Sequence, residues 1–216
     1  MKIAIPLFDG FAALDAVGPY EVLSRLPGAE VEFVADQPGL KRTESGPLAL
    51  MAERSFDDVA GPEIVVVPGG FGTRRLIEDG RIVDWIAASH ETSQWTTSVC
   101  TGALLLGAAG VLDGLKATTH WLELERLREF GAEPTAERVV EQGKVITAAG
   151  VSAGIDMALR LAAKVAGEDV AKAIQLGIEY DPDPPFDCGS PKKAPRELVD
   201  VITAWARQQE PVSQSA

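Results

Sequence analysis

The sequence predicts an α/β fold in which a parallel sheet is covered by helices on both faces. Three observations carry this expectation. Short β-rich runs alternate with longer runs of helical spacing along the chain. The run EIVVVPGG (63–70) is continuously apolar, as a central strand buried on both faces must be, and it ends in a glycine pair suited to a tight loop. The run TTSVCTGALLLGAAG (96–110) passes from strand-like to helix-like composition at a single cysteine, Cys100. In such sheets ligands lie beyond the carboxyl ends of the strands. Three loops share that edge: one holding Asp15, one at Gly69-Gly70 and one at Cys100.

In order, KIAIPLF reads as a buried first strand, too short and too quickly polar at its end for a signal peptide. GPYEVLSRL starts a helix with Pro19 in its first turn. AEVEFVAD alternates as a strand, and PLALMAE and RSFDD form a short antiparallel pair. DGRIVDWIAASHE is helical, WTTSVC a strand and TGALLLGAAGVL a helix. WLELERLREFG is a helix closed by Gly131. RVVEQGKVITAAG is a hairpin-like strand pair, VSAGIDMALRLAAKVAG a long buried helix ended by Gly167, and EDVAKAIQLGIEY another helix. A proline-rich loop, DPDPPFDCGSPKKAP, leads to a last helix, RELVDVITAWARQQ. No repeat or linker interrupts the pattern, so one domain is expected over residues 1–208, with a disordered tail at 209–216.

Composition narrows the function. The 216 residues suffice for one good core, and 46 % hydrophobic with 24 % charged residues is ordinary globular composition. A net charge of -12 argues against nucleic acid as a partner. No apolar run reaches the roughly 18 residues a membrane span needs. Two cysteines without an export signal argue against a disulfide framework and for a cytoplasmic location. No Cys/His cluster suggests zinc.

Cys100 at a strand–helix elbow reads as a nucleophile whose thiolate the helix N-terminus favours, or as a buried structural cysteine. The backbone N–H groups of Gly69, Gly70 and Thr101 are candidates for an oxyanion-type hole; the plainer reading is a loop needing unusual dihedrals. GGFG lacks both the GxGxxG spacing and a Walker lysine, so it is not read as a nucleotide loop. Asp15, an acid within an apolar stretch, reads as a helix cap or as a catalytic acid/base, with Glu21 as the competing acid. His120 reads as a base or as a satisfied half-buried histidine. Thr118, Thr119, Asp156 and Tyr180 read as structural, and Cys188 as a peripheral loop thiol.

The segments PGG, SVCTGALLLGAAGVLDGLKATTHW and AAGVSAGIDMALRLAA resemble the ThiJ/PfpI superfamily, a class I glutamine amidotransferase-like group, over about residues 2–208. Within it, LDAVGPYEVL and IEYDPDPPFDCGSP look like the isonitrile (isocyanide) hydratase group. The resemblance implies a flavodoxin-like fold with an elbow cysteine. Peptidases of the superfamily carry a histidine directly after the cysteine, where this chain has Thr101. Glyoxalase-type members pair the cysteine with a glutamate and a histidine, where this chain matches with Asp15. Amidotransferases need a late histidine, and none follows His120. The hydratase group uses the cysteine, the first-loop aspartate and the threonine after the cysteine; Cys100, Asp15 and Thr101 match all three. Cys188 departs from the small apolar residue expected in its loop.

The resemblance therefore implies hydration of an isonitrile to an N-substituted formamide through a thioimidate. It implies no cofactor or metal, a small-molecule substrate, and a homodimer with the first helix near the interface. Two other classes share features. Sensor domains of AraC-type regulators carry similar LD..GP, CTG and TTHW motifs before a DNA-binding region. A thiol-based redox or stress protein would use Cys100 as an oxidisable group.

Overall fold

The computed structural model describes residues 1–59 and 61–208, so the tail expected to be disordered lies outside the described residues. The chain divides into two compact units, Met1–Glu179 and Tyr180–Ala216.

The first unit begins with β1 (Lys2–Pro6), α1 (Ala13–Leu23) and β2 (Glu30–Ala35), followed by β3 (Gly39–Arg42), β4 (Ala49–Ala52) and β5 (Arg54–Ser55). Next come β6 (Ile64–Val67), α2 (Thr73–Leu76), α3 (Gly80–Thr92), β7 (Trp95–Val99) and α4 (Gly102–Ala108). It closes with β8 (Lys116–Ala117), a 3-10 segment (Trp121–Phe130), β9 (Glu133–Pro134), β10 (Val139–Gln142), β11 (Val145–Ala148), α5 (Ala153–Ala166) and α6 (Glu168–Gly177). Among the described residues, seven strands form one sheet in the order β10-β11-β7-β6-β1-β2-β5. β10 runs antiparallel to β11 and the other pairs are parallel, as the flavodoxin-like expectation requires.

The apolar runs explain this layout. All four side chains of β6 and of β11 are buried, so each strand needs cover on both faces. α1 and α6 each pack against α5, while α2, α3, α4 and the 3-10 segment form the other set. β2 lies on one side of β1, whereas β6, β7 and β11 succeed one another on the other. The winding thus reverses between β1 and β6, the kind of switch point at which such sheets bind ligands beyond their carboxyl edge.

Four local expectations change. α1 starts at Ala13 rather than near Pro19, because the Ala12 N–H is anchored on the Gly69 carbonyl at 2.8 Å and the chain turns helical there. Pro19 therefore stands inside the helix, where it forgoes a backbone bond to the Asp15 carbonyl. Close packing surrounds it: a Cβ on Gly154 of α5 would lie 3.3 Å from Pro19 Cγ, and one on Gly18 would lie 3.0 Å from Ile155. The antiparallel pair forms between β3 and β4 around a turn with Gly46 at φ 103°, not with RSFDD. Arg54–Ser55 instead extends the sheet beside β2, and Ser55 then caps a short turn with Asp58. WLELERLREF adopts 3-10 geometry, closed by Gly131 at φ 74°. α4 spans only Gly102–Ala108.

α4 presses onto the end of β6: a Cβ on Gly102 would sit 2.1 Å from the Val67 carbonyl oxygen. A backbone carbonyl in a central strand cannot swing aside. Gly102→Ala is expected to destabilise the fold by about 3 kcal/mol, the upper end for overpacking, read as a lowered urea midpoint; an unchanged midpoint contradicts this packing.

The second unit holds the proline-rich segment and α7 (Arg196–Gln208). Lys193 pairs with Asp187 at 2.5 Å, and Cys188 is an exposed free thiol. Leu198, Val201, Ile202 and Trp205 recur at helical spacing along α7 and are exposed. Among the described residues no helix is long and apolar enough to cross a membrane.

Candidate active site

Cys100 follows the last residue of β7 and turns the chain into α4 with φ 55°, a strained conformation for a non-glycine residue. Its backbone is tied on both sides. The Cys100 N–H donates to the carbonyls of Ala148 (3.1 Å) and Ala149 (2.9 Å), and its own carbonyl accepts from the Thr119 hydroxyl at 2.7 Å. The side chain is 6 % exposed. Asp15, on the first turn of α1, is fully buried and close enough to the thiol for each group to act on the other's ionisation. One carboxylate oxygen, Oδ2, accepts from the Gly69 N–H at 2.9 Å. The other, Oδ1, is buried without a hydrogen-bond partner among the described residues. The Thr101 hydroxyl accepts from the Gly70 N–H at 2.9 Å and donates to the Gly70 carbonyl at 3.1 Å.

Cys100, Asp15, Thr101, Gly69 and Gly70 are thus brought together at the carboxyl edge. The role expected of two of them changes, however. The Gly69 and Gly70 N–H groups are committed to Asp15 and Thr101, so they hold the acid and the threonine rather than stand open as an oxyanion hole. Their lack of a side chain is what admits these partners. A Cβ on Gly69 would lie 2.5 Å from the Thr101 nitrogen and 2.9 Å from Asp15 Oδ2. The N–H groups that act on the sulfur are those of Thr101 and Val151. Val151 was not singled out in the sequence; it lies just past β11 with φ 29°.

Burial dominates the electrostatics. It raises the Asp15 carboxyl to about 7, against the Gly69 hydrogen bond, with the Glu44 charge pushing the same way as burial and the Cys100 thiol pulling back. Burial also pushes the Cys100 thiol well up, and the neighbouring Asp15 adds to it; the Thr101 and Val151 N–H groups act in the opposite sense. Burial thus opposes the thiolate that the helix N-terminus is expected to favour. α4 is short, and its end does not offset the burial.

The remaining candidates stand apart. His120 caps the 3-10 segment, its Nδ1 accepting from the Leu122 N–H at 3.4 Å, and burial holds its pKa below the ordinary value. It borders the site, since a Cβ on Gly150 would come within 2.8 Å of its ring. Among the described residues, no hydrogen bond joins it to Cys100 or Asp15. Glu21 is exposed and pairs with Arg25 at 2.7 Å. The Thr118 N–H donates to the Thr147 hydroxyl, and Asp156 pairs with Arg138, both structural contacts. Glu44, whose charge acts on both Asp15 and Cys100, and the buried Arg74–Glu123 pair carry no motif in the sequence.

Residues 1–164 match the model of the DJ-1/PfpI family. The chain belongs to the DJ-1/PfpI family. Its relatives in that family include isonitrile hydratase from Pseudomonas putida, 43 % identical over 200 residues that cover 93 % of this chain and 87 % of that protein. A crystal structure of a ThiJ/PfpI family protein from Pseudomonas syringae superposes with a TM-score of 0.93 at 36 % identity, covering 96 % of this chain and 86 % of the other. The HTH-type transcriptional regulator CdhR of Pseudomonas aeruginosa is 26 % identical over 181 residues, 82 % of this chain but only 53 % of the regulator. The likeness to the hydratase thus runs nearly end to end, whereas the likeness to the regulator is confined to about half of it.

Proposed function

We propose that this DJ-1/PfpI protein is an isonitrile hydratase that uses Cys100 as nucleophile and Asp15 as general acid and base. The observation that carries the reading is the burial of Cys100 and Asp15 at one sheet edge, joined through Gly69, Gly70 and Thr101, in a chain 43 % identical to an isonitrile hydratase. The terminal carbon of an isonitrile accepts both a nucleophile and a proton. The Cys100 sulfur bonds to that carbon while the thiol proton passes through Asp15 to the same carbon, giving a thioimidate, R–N=CH–S. Water then adds: its hydroxyl bonds to the carbon, and Asp15 takes its proton and hands it to the nitrogen. The C–S bond breaks as the hydroxyl proton returns through Asp15 to sulfur, releasing R–NH–CHO. A carboxyl poised at about 7 suits this two-way traffic.

Neighbouring groups support this reading. Gly69 fixes Asp15 Oδ2, leaving Oδ1 for water. The N–H groups of Thr101 and Val151 oppose the build-up of negative charge on sulfur. The Thr101 hydroxyl acts by holding Gly70, which keeps the Gly69 donor in place. The protein itself supplies nucleophile and acid/base, so the proposed reaction draws on no cofactor. The free cysteines accord with a cytoplasmic enzyme.

Incubating the purified protein with a simple alkyl isonitrile should give the N-alkyl formamide, followed by proton NMR. Binding of small molecules without formamide would shift the reading to a ligand-binding sensor domain, the chain being also similar to about half of the transcriptional regulator CdhR. His120→Ala is expected to retain most of the turnover, because His120 is bonded to its own loop rather than to the reacting pair; loss of turnover comparable to that of a Cys100 variant would reject this assignment.

The proposal extends to a homodimer through α1 and the β3–β4 hairpin. Leu14, Leu40, Leu48 and Met51 are exposed there, and Tyr20 shares a groove with Phe33 and Met51. Light scattering at micromolar concentration is expected to give the dimer mass; a monomer overturns this part.

A further inference from the structure

We propose that Glu44 is a positioning residue that keeps a proton on the Cys100–Asp15 pair, its carboxylate being tied to the loop that carries Gly69 and Gly70. The inference rests on the reading of Cys100 and Asp15 as the reacting pair, and its test is independent of isonitrile turnover.

Three loops meet at this point, and Glu44 joins them. Its N–H donates to the Phe11 carbonyl at 3.0 Å, which binds the hairpin turn to the β1–α1 loop. Its Oε2 accepts from the Phe71 N–H at 2.8 Å, which binds the same turn to the β6–α2 loop. That second loop is held to the first by Ala12 N–H on the Gly69 carbonyl (2.8 Å) and Gly72 N–H on the Gly10 carbonyl (2.9 Å). The carboxylate is thus fixed from both ends, although the residue is exposed. Its charge acts on Asp15 and on Cys100 in the same sense, favouring the protonated form of each.

The neighbouring charges do not take this role. On the hairpin, the Arg42 N–H is spent on Asp9 Oδ1 at 2.8 Å, so Asp9 is turned to that strand. On the β6–α2 side, the Arg74 guanidinium lies 4.8 Å over the Phe71 ring but is held by Glu123. His120 is swayed by Glu123 and Arg74, and on α5 Asp156 is paired with Arg138. Among the described residues, Glu44 is the group besides the pair's own members whose charge acts on both of them.

The consequence is a pH window for the thiol. With the Glu44 charge removed, the pair gives up its proton more readily. The probe is iodoacetamide alkylation of Cys100 as a function of pH, followed by mass spectrometry in a Cys188→Ser background so that a single thiol reports. Glu44→Gln keeps an acceptor for the Phe71 N–H and is expected to move the alkylation midpoint down by about half a pH unit at low salt, the scale of an exposed charge acting at short range. The difference should shrink at about 1 M salt, where screening reaches about 3 Å. Glu44→Asp keeps the charge and should hold the wild-type midpoint. In the wild type itself, added salt should lower the midpoint, which decides the matter if a variant folds poorly. Equal midpoints for wild type and Glu44→Gln, a salt-independent difference, or an equal shift in Glu44→Asp would each overturn the proposal.

Discussion

Cys100→Ala is expected to abolish formamide production, with a loss on the order of 10⁴-fold or more. Without the sulfur no thioimidate forms, and the water left in its place is a weaker nucleophile with no fixed position. Cys100→Ser should fail nearly as badly, because a carboxyl at about 7 is a poor base for an alcohol. The two variants keep the left-handed turn at φ 55° with a side chain in place, so they keep its strain. Cys100→Gly removes that strain and is expected to raise stability by about 1 kcal/mol while losing turnover equally. Thermal melts of the three variants beside the formamide assay check both halves. Retained turnover in Cys100→Gly would rule out the nucleophile assignment, and a stability loss in that variant would contradict the strain.

The elbow was legible in the sequence because one residue separates a β-branched run from an Ala/Leu run, and only a sharp turn reconciles the two. The parallel sheet was legible for a related reason: KIAIP and IVVV are apolar without alternation, which a one-faced sheet does not permit. What was not legible depends on contacts far apart in sequence. The start of α1 is set by the Gly69 carbonyl, which nothing in FAALDAVGP announces. GLKR carries two cations and no strand-like alternation, yet it forms β3 because the turn at Gly46 folds β4 back on it. The commitment of the Gly69 and Gly70 N–H groups depends on where Asp15 and Thr101 point, and the state of the thiol depends on how little water reaches it. Glu44 stands 56 residues before Cys100 in a polar turn, TESGP, that looks like any solvated hairpin end. Its reach to the pair emerges only once the three loops are stitched together.

Asp15→Asn separates catalysis from stability in opposite directions. Turnover is expected to fall at least ~100-fold, the low end of what a positioned acid/base contributes, because an amide neither takes the thiol proton nor relays it to carbon and nitrogen. Stability should move the other way at neutral and higher pH. In the folded protein the carboxyl ionises at about 7 rather than at its ordinary 3.8, so the folded state binds more protons than the unfolded state between those values. Stability is therefore greatest below pH 3.8 as far as this group is concerned; it falls as pH rises to about 7 and levels off above it. The full difference is of the order of 4 kcal/mol. Asparagine carries no charge to desolvate, and its carbonyl still accepts from the Gly69 N–H. Denaturant midpoints measured from pH 5 to 8 should thus fall for the wild type and stay nearly level for the variant, leaving the variant more stable at pH 8. Cys100 should respond as well: freed of the adjacent carboxyl, its thiol loses the second contribution that holds it protonated, and alkylation should proceed at lower pH even as turnover collapses. A variant that kept near-normal turnover, while His120→Ala lost it, would replace the Cys–Asp pair by a Cys–His pair.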